Sequence, residues 1–155
     1  MKCPFNPPEG YAGIKVVQSF DELVSTPLAG AVNALCWPRT LAGDFDEVVE
    51  KLGVIDEITS LDEGDLRALV LSPAGRAARD VLIEDQRRLR AAGLAPSLDG
   101  IPAYPRDEEH GPVSIDVYSF HADSAAVMAD TYLCSYSVAS SEGLRNEDAR
   151  RRGHS

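Results

Sequence analysis

Apolar residues recur along this chain at two spacings, and the spacings locate its elements. Phe45, Val48, Val49 and Leu52 fall at i, i+3, i+4 and i+7, the spacing of one helix face. Asp44 and Glu47 supply a capping-box-like start, and Gly53 stands where such a helix should stop. The longest helix is expected to begin at Ser72-Pro73, an N-cap followed by proline at the first helical position, and to run to about Ala92, ending at Gly93. Ala78, Val81, Leu82, Leu89 and Ala92 form its apolar stripe. Arg79, Arg87, Arg88 and Arg90 lie largely outside that stripe, with Asp80, Glu84 and Asp85 interspersed, so this side reads as a solvated, ion-paired face. Two shorter helices are expected. One follows the Ser19-x-x-Glu22 pattern and runs until Pro27; the other begins near Ser60-Leu61-Asp62-Glu63 and turns Leu66, Leu69 and Val70 inward.

Strand-like stretches are expected at 14–17, at 31–36 before Trp37-Pro38, at 113–121 and at 131–138. Residues 1–13 read as an extended lead and 150–155 as a frayed tail. Leu98-Asp99-Gly100 reads as a turn within a stretch punctuated by proline and glycine, and Asn146 as the cap of a last helical turn. The expected architecture is α+β: one domain over 1–155, its helical first two-thirds packed against a small, largely antiparallel sheet.

The charge balance narrows the partners. Twenty-five acidic residues against fifteen basic give a net charge of −10, and neither half of the chain is basic. Nucleic acid and anionic membrane surfaces are therefore not expected partners. No apolar run approaches the roughly 20 residues of a membrane span, and the N-terminus has no apolar stretch of signal-peptide length. A soluble, cytoplasmic protein is the expectation. Cys3, Cys36 and Cys134 are scattered without a Cys-x-x-Cys pair, which points to reduced thiols rather than a disulfide framework or a thiolate zinc site.

One constellation could carry chemistry. Val113, Ile115, Val117, Ser119, His121 and Asp123 share one parity on the expected strand, so an apolar face would end in an imidazole and a carboxylate. These two would lie roughly 7 Å apart at the backbone and could meet a metal from one side. Such a pair is half of the two-His-one-carboxylate arrangement that holds Fe(II), and a Zn ion would accept the same donors. The third ligand is open: His154 lies in the tail and His110 in a loop. The alternative is a histidine and an aspartate hydrogen-bonded at a strand end.

Other candidates are weaker. No Gly-x-Ser-x-Gly elbow surrounds Ser119, Ser135, Ser140 or Ser141. Cys134 shares parity with Tyr132, Tyr136 and Val138 and reads as core. Trp37, followed by Pro38 and Arg39, is either packed at a strand end or part of a ligand wall. Glu142, Arg145 and Asn146 are either surface caps and pairs or the entrance of a cleft.

The segments Val32-Asn33-Ala34-Leu35-Cys36-Trp37-Pro38-Arg39, Phe120-His121-Ala122-Asp123-Ser124, Leu133-Cys134-Ser135-Tyr136 and Ser141-Glu142-Gly143-Leu144-Arg145-Asn146 occur in an order that resembles an uncharacterised bacterial domain-of-unknown-function family. Through the His-x-Asp strand that family is remotely similar to the double-stranded β-helix of iron and 2-oxoglutarate oxygenases. The resemblance implies a partial double-stranded β-helix with His121 and Asp123 as metal ligands. It also implies that further strands, and a distal ligand, would follow beyond Ser155, making this chain a shortened form.

Two functional classes follow. The first is a protein with a metal or small-molecule pocket at His121 and Asp123, resembling a non-haem iron oxygenase. The second is a non-catalytic binding or protein-interaction module, its sheet edge free to pair with a partner or to build a homo-oligomer.

Overall fold

A computed structural model of the chain describes residues 9–53, 58–101, 129–136 and 145–148. The fold is mixed helix and sheet. Strand β1 (Ile14–Val16) pairs in parallel with β2 (Ala34–Cys36), Ile14 opposite Ala34 and Val16 opposite Cys36. Parallel neighbours need a crossover, and α1 (Phe20–Ser25) lies within it. Ser19 caps α1 by accepting the Glu22 amide at 3.1 Å. Glu22 returns the favour one residue early, accepting from the Gln18 amide rather than that of Ser19, so only half of the expected capping box forms. Thr26 turns extended ahead of Pro27, whose ring disfavours helical backbone in the residue before it.

The core is built on three helices. In α2 (Phe45–Leu52) Asp44 caps the first turn and Gly53 ends the last with left-handed backbone. In α3 (Glu63–Ala68) Asp62 and Asp65 form a complete reciprocal capping box, each bond 2.9 Å. Helix α4 (Pro73–Ala91) is capped by Ser72, and both shorter helices pack against it. Val48, Leu66, Leu71, Ala78, Leu82 and Ile83 make the buried cluster, with Phe45, Leu52, Leu69, Leu98 and Tyr136 around it. Burying one side chain of the size of Leu66 contributes about 1.5–3 kcal/mol.

A polar joint locks α2 to α4. The Glu47 carboxylate accepts from both the Ser72 amide (2.8 Å) and the Ser72 hydroxyl (2.5 Å), while Ser72 Oγ accepts the Gly75 amide at 3.1 Å. The Asp44 amide donates to the Ala74 carbonyl beside it. Backbone approaches backbone here: Gly43 sits at φ 121° against the backbone of Ala78, leaving no room for a side chain. A second, antiparallel ribbon joins β3 (Thr59–Ser60) to β4 (Asp99–Gly100), Ser60 opposite Asp99.

The class expected from the sequence holds, but several details differ. The best-formed ribbon is parallel and lies in the first third of the chain, and a double-stranded β-helix is not seen among the described residues. Residues 98–100 are not a free turn, since Asp99 and Gly100 pair with β3. Residues 131–136 form no strand. Val70 points outward and is 88% exposed, because α3 stops at Ala68 and extended backbone at Leu69 breaks the helical periodicity, swinging Leu71 inward in its place. Val49 is also exposed, at 57%, because two-turn α2 meets the core through Phe45, Val48 and Leu52. The 113–121 stretch lies outside the described residues.

Candidate functional site

Along α4, positions 78, 82, 85 and 89 lie on one side of the helix, and the third of them is a carboxylate. Asp85 is accordingly buried rather than part of the solvated face expected for it. A carboxylate in that position needs partners, because a desolvated charge left unpaired is costly. It has two. Arg39 Nη1 donates to Asp85 Oδ2 at 2.5 Å, and the Tyr136 hydroxyl donates to the same oxygen at 2.9 Å. The ion pair is largely withdrawn from solvent, with side-chain exposures of 18% for Arg39 and 9% for Asp85.

Aromatic rings frame this pair. The Arg39 guanidinium lies over Trp37, 4.6 Å from the ring centroid, a cation–π contact. Phe20 from α1 approaches the same ring at 6.3 Å, tilted by 55°. Tyr136 stacks on Phe45 of α2 at 5.5 Å and 21°, so its ring is held by one helix and its hydroxyl by another. Burial works against the charge of Arg39, yet the hydrogen bond and charge of Asp85 prevail and hold its pKa above the ordinary value. Burial pushes the Tyr136 phenol strongly upward, with the neighbouring Cys134 and Asp85 adding to it, so the hydroxyl stays a donor at neutral pH.

These groups border a cavity of about 530 Å³, a size that suits small-molecule ligands. One wall is α1 and β2 with the residues that follow it, a second is α4 through Asp85 and Leu89, and a third is the segment 129–136. Leu23, Leu28, Leu35, Leu89 and Leu133 supply apolar surface. Cys36 and Cys134 both border the cavity. Cys134 is not the core residue that strand parity suggested: without a strand at 131–136 no alternation operates, and the residue is exposed. Burial nevertheless pushes its thiol up, against the opposing influence of Tyr136 and Arg39.

His121 and Asp123, the metal ligands expected from the sequence, lie outside the described residues, as do His110, His154, Glu142 and the serines at 119, 140 and 141. Among the described residues, no group of three or more His, Cys, Asp or Glu is placed to hold a metal ion. Arg145 is a surface group paired with Glu147 at 2.9 Å and Asp148 at 2.5 Å, and the expected last turn is a short 3-10 helix over Asn146–Asp148. Trp37 directly follows β2, packs against Phe20 and Arg39 and also borders the cavity, so its position fits both roles open to it. Sequence reasoning missed the meeting of Arg39, Asp85 and Tyr136. The signal available was an acidic residue in phase with the Ala78, Leu82 and Leu89 stripe.

No helix among the described residues is long and apolar enough to cross a membrane. No protein family, curated protein or solved structure matches the chain.

Proposed function

We propose that the chain binds a small molecule in the cavity between α1, β2, α4 and the 129–136 segment. The observation that carries this reading is the ion pair of Arg39 and Asp85, held over Trp37 and turned to an apolar-walled space of about 530 Å³. A few fixed polar groups within an otherwise apolar concavity is the usual composition of a ligand site. Of the described groups bordering it, Tyr136 and Cys134 hold their protons more tightly than usual, so neither supplies an activated base or nucleophile. Binding without chemistry suits such a site better than catalysis.

The test uses the single tryptophan, Trp37, which borders the cavity. A neutral fluorescent probe, N-phenyl-1-naphthylamine, should bind saturably at one equivalent and receive excitation energy from Trp37. Ala34→Phe, which adds a ring to the cavity wall, should weaken that transfer at least tenfold while leaving the circular dichroism spectrum intact. Transfer undiminished in the folded variant, or no transfer at all, would overturn the reading.

A second reading keeps Fe(II) or Zn at His121 and Asp123, with chemistry like that of a non-haem iron oxygenase. What favours it is the His-x-Asp spacing. Elemental analysis of the purified protein decides it. Stoichiometric iron or zinc, lost in His121→Ala, supports the site; no metal in either protein removes it. Cytoplasmic residence and a homo-oligomer joined through a sheet edge belong to the same set of proposals. A sizing column on the full chain tests the oligomer.

A further inference from the structure

We infer that the ligand is a neutral molecule whose edge offers a hydrogen-bond donor beside an acceptor, as a carboxamide or a lactam does, carried on an apolar body. The inference rests on the cavity being a small-molecule site. It starts from hydrogen-bonding capacity that the described residues leave open. A guanidinium has five N–H donors and a carboxylate has two accepting oxygens. Arg39 reaches Asp85 through Nη1, and both hydrogen bonds that Asp85 accepts from Arg39 and Tyr136 fall on Oδ2. Arg39 and Asp85 both border the cavity. Among the described residues the pair therefore leaves a second acceptor on Asp85, and donors on Arg39 beyond those turned to Asp85 and Cys134.

Charge selects the rest. The pair is neutral as a unit, so it compensates neither an anion nor a cation. A ligand carboxylate bound to Arg39 would share one guanidinium with the Asp85 carboxylate in a site largely withdrawn from water. Asp130, at the exposed margin of the cavity, and the net charge of −10 add to the repulsion. A ligand ammonium bound to Asp85 would lie against Arg39. A carboxamide meets both members without bringing a charge, its N–H donating to Asp85 and its carbonyl accepting from Arg39. Leu35 and Leu89 then face its apolar part. A site built to pair both groups also rejects analogues that leave one of them unpaired.

Displacement of N-phenyl-1-naphthylamine by three matched compounds tests this on the full chain: 1-naphthamide, 1-naphthoate and 1-naphthylmethylammonium. The amide should displace at a concentration at least tenfold below either charged analogue. In Asp85→Asn the countercharge of Arg39 is gone, and preference should move at least tenfold from the amide toward naphthoate, an exchange that a purely structural role for Asp85 would not produce. If naphthoate or the ammonium displaces best from the unaltered protein, or all three displace equally, the neutral edge is wrong while the cavity stands. If the probe itself takes no energy from Trp37, the cavity reading fails and this inference with it.

Discussion

Tyr136 donates its hydroxyl to Asp85 at 2.9 Å, joining residues 51 positions apart. Removing only the hydroxyl isolates that bond, because the ring stack on Phe45 survives. Tyr136→Phe should lower stability by about 1.5–3 kcal/mol, the range for a hydrogen bond to a charged group. Tyr136→Ala, which also gives up the stack, should cost more. Urea unfolding measures both; a phenylalanine variant as stable as the parent would show that the bond contributes nothing.

Arg39 and Asp85 should behave as a coupled pair. Asp85→Leu alone strands a partly buried guanidinium and should cost about 3–5 kcal/mol. Arg39→Met combined with Asp85→Leu removes both charges and should be more stable than Asp85→Leu by itself. A thermodynamic cycle over the two positions measures the coupling. Simple additivity of the single variants would contradict the pairing.

Two glycines with left-handed backbone should respond differently to a methyl group. Gly53 at φ 63° has open space around it, so Gly53→Ala should cost only about 1–2 kcal/mol from its backbone. Gly43 at φ 121° adds a collision with the Ala78 backbone, and Gly43→Ala should be the more damaging of the two. Thermal melts of both variants check the order.

Acid should loosen the joint between α2 and α4. The side-chain and backbone hydrogen bonds from Ser72 hold the Glu47 carboxyl below its ordinary pKa. A depressed native pKa contributes stability that is complete above the unfolded value, about 4.3, and is lost as pH falls through the native one. Glu47→Gln should therefore flatten the dependence of melting temperature on pH between about 5 and 3. Ser72→Ala should do the same and also remove an N-cap worth about 1 kcal/mol. A parent-like acid slope in both variants would rule the joint out.

Helices were legible in the sequence wherever a local signal coincided with a local outcome. Ser72-Pro73, Asp44 and the glycines at 53 and 93 mark ends that depend on one or two residues each. Strands β1 and β2 fall within the stretches expected for them, whereas placements set by distant contacts were not legible. The 131–136 stretch has alternating character but takes its place through the Tyr136 ring and hydroxyl, contacts with α2 and α4 that no local pattern encodes. Pairing of Asp99 with Ser60 is hidden for the same reason, since a two-residue ribbon has no periodicity to read. At the candidate site, Trp37 and Arg39 stood out as residue types, whereas Asp85 was assigned to the surface by its charge. Its phase along α4 carried the opposite message. A single charged residue in an apolar stripe marks a pairing site when its partner can come from elsewhere in the chain.

The segment 129–136 is one wall of the cavity, and its attachment runs through Tyr136 to two helices. Occupancy and attachment are consequently reciprocal: whatever fills the space clamps the wall, and whatever loosens the wall weakens retention by the same factor. A saturating occupant would thus shield this stretch from proteases and slow its amide exchange, even though it touches only part of it.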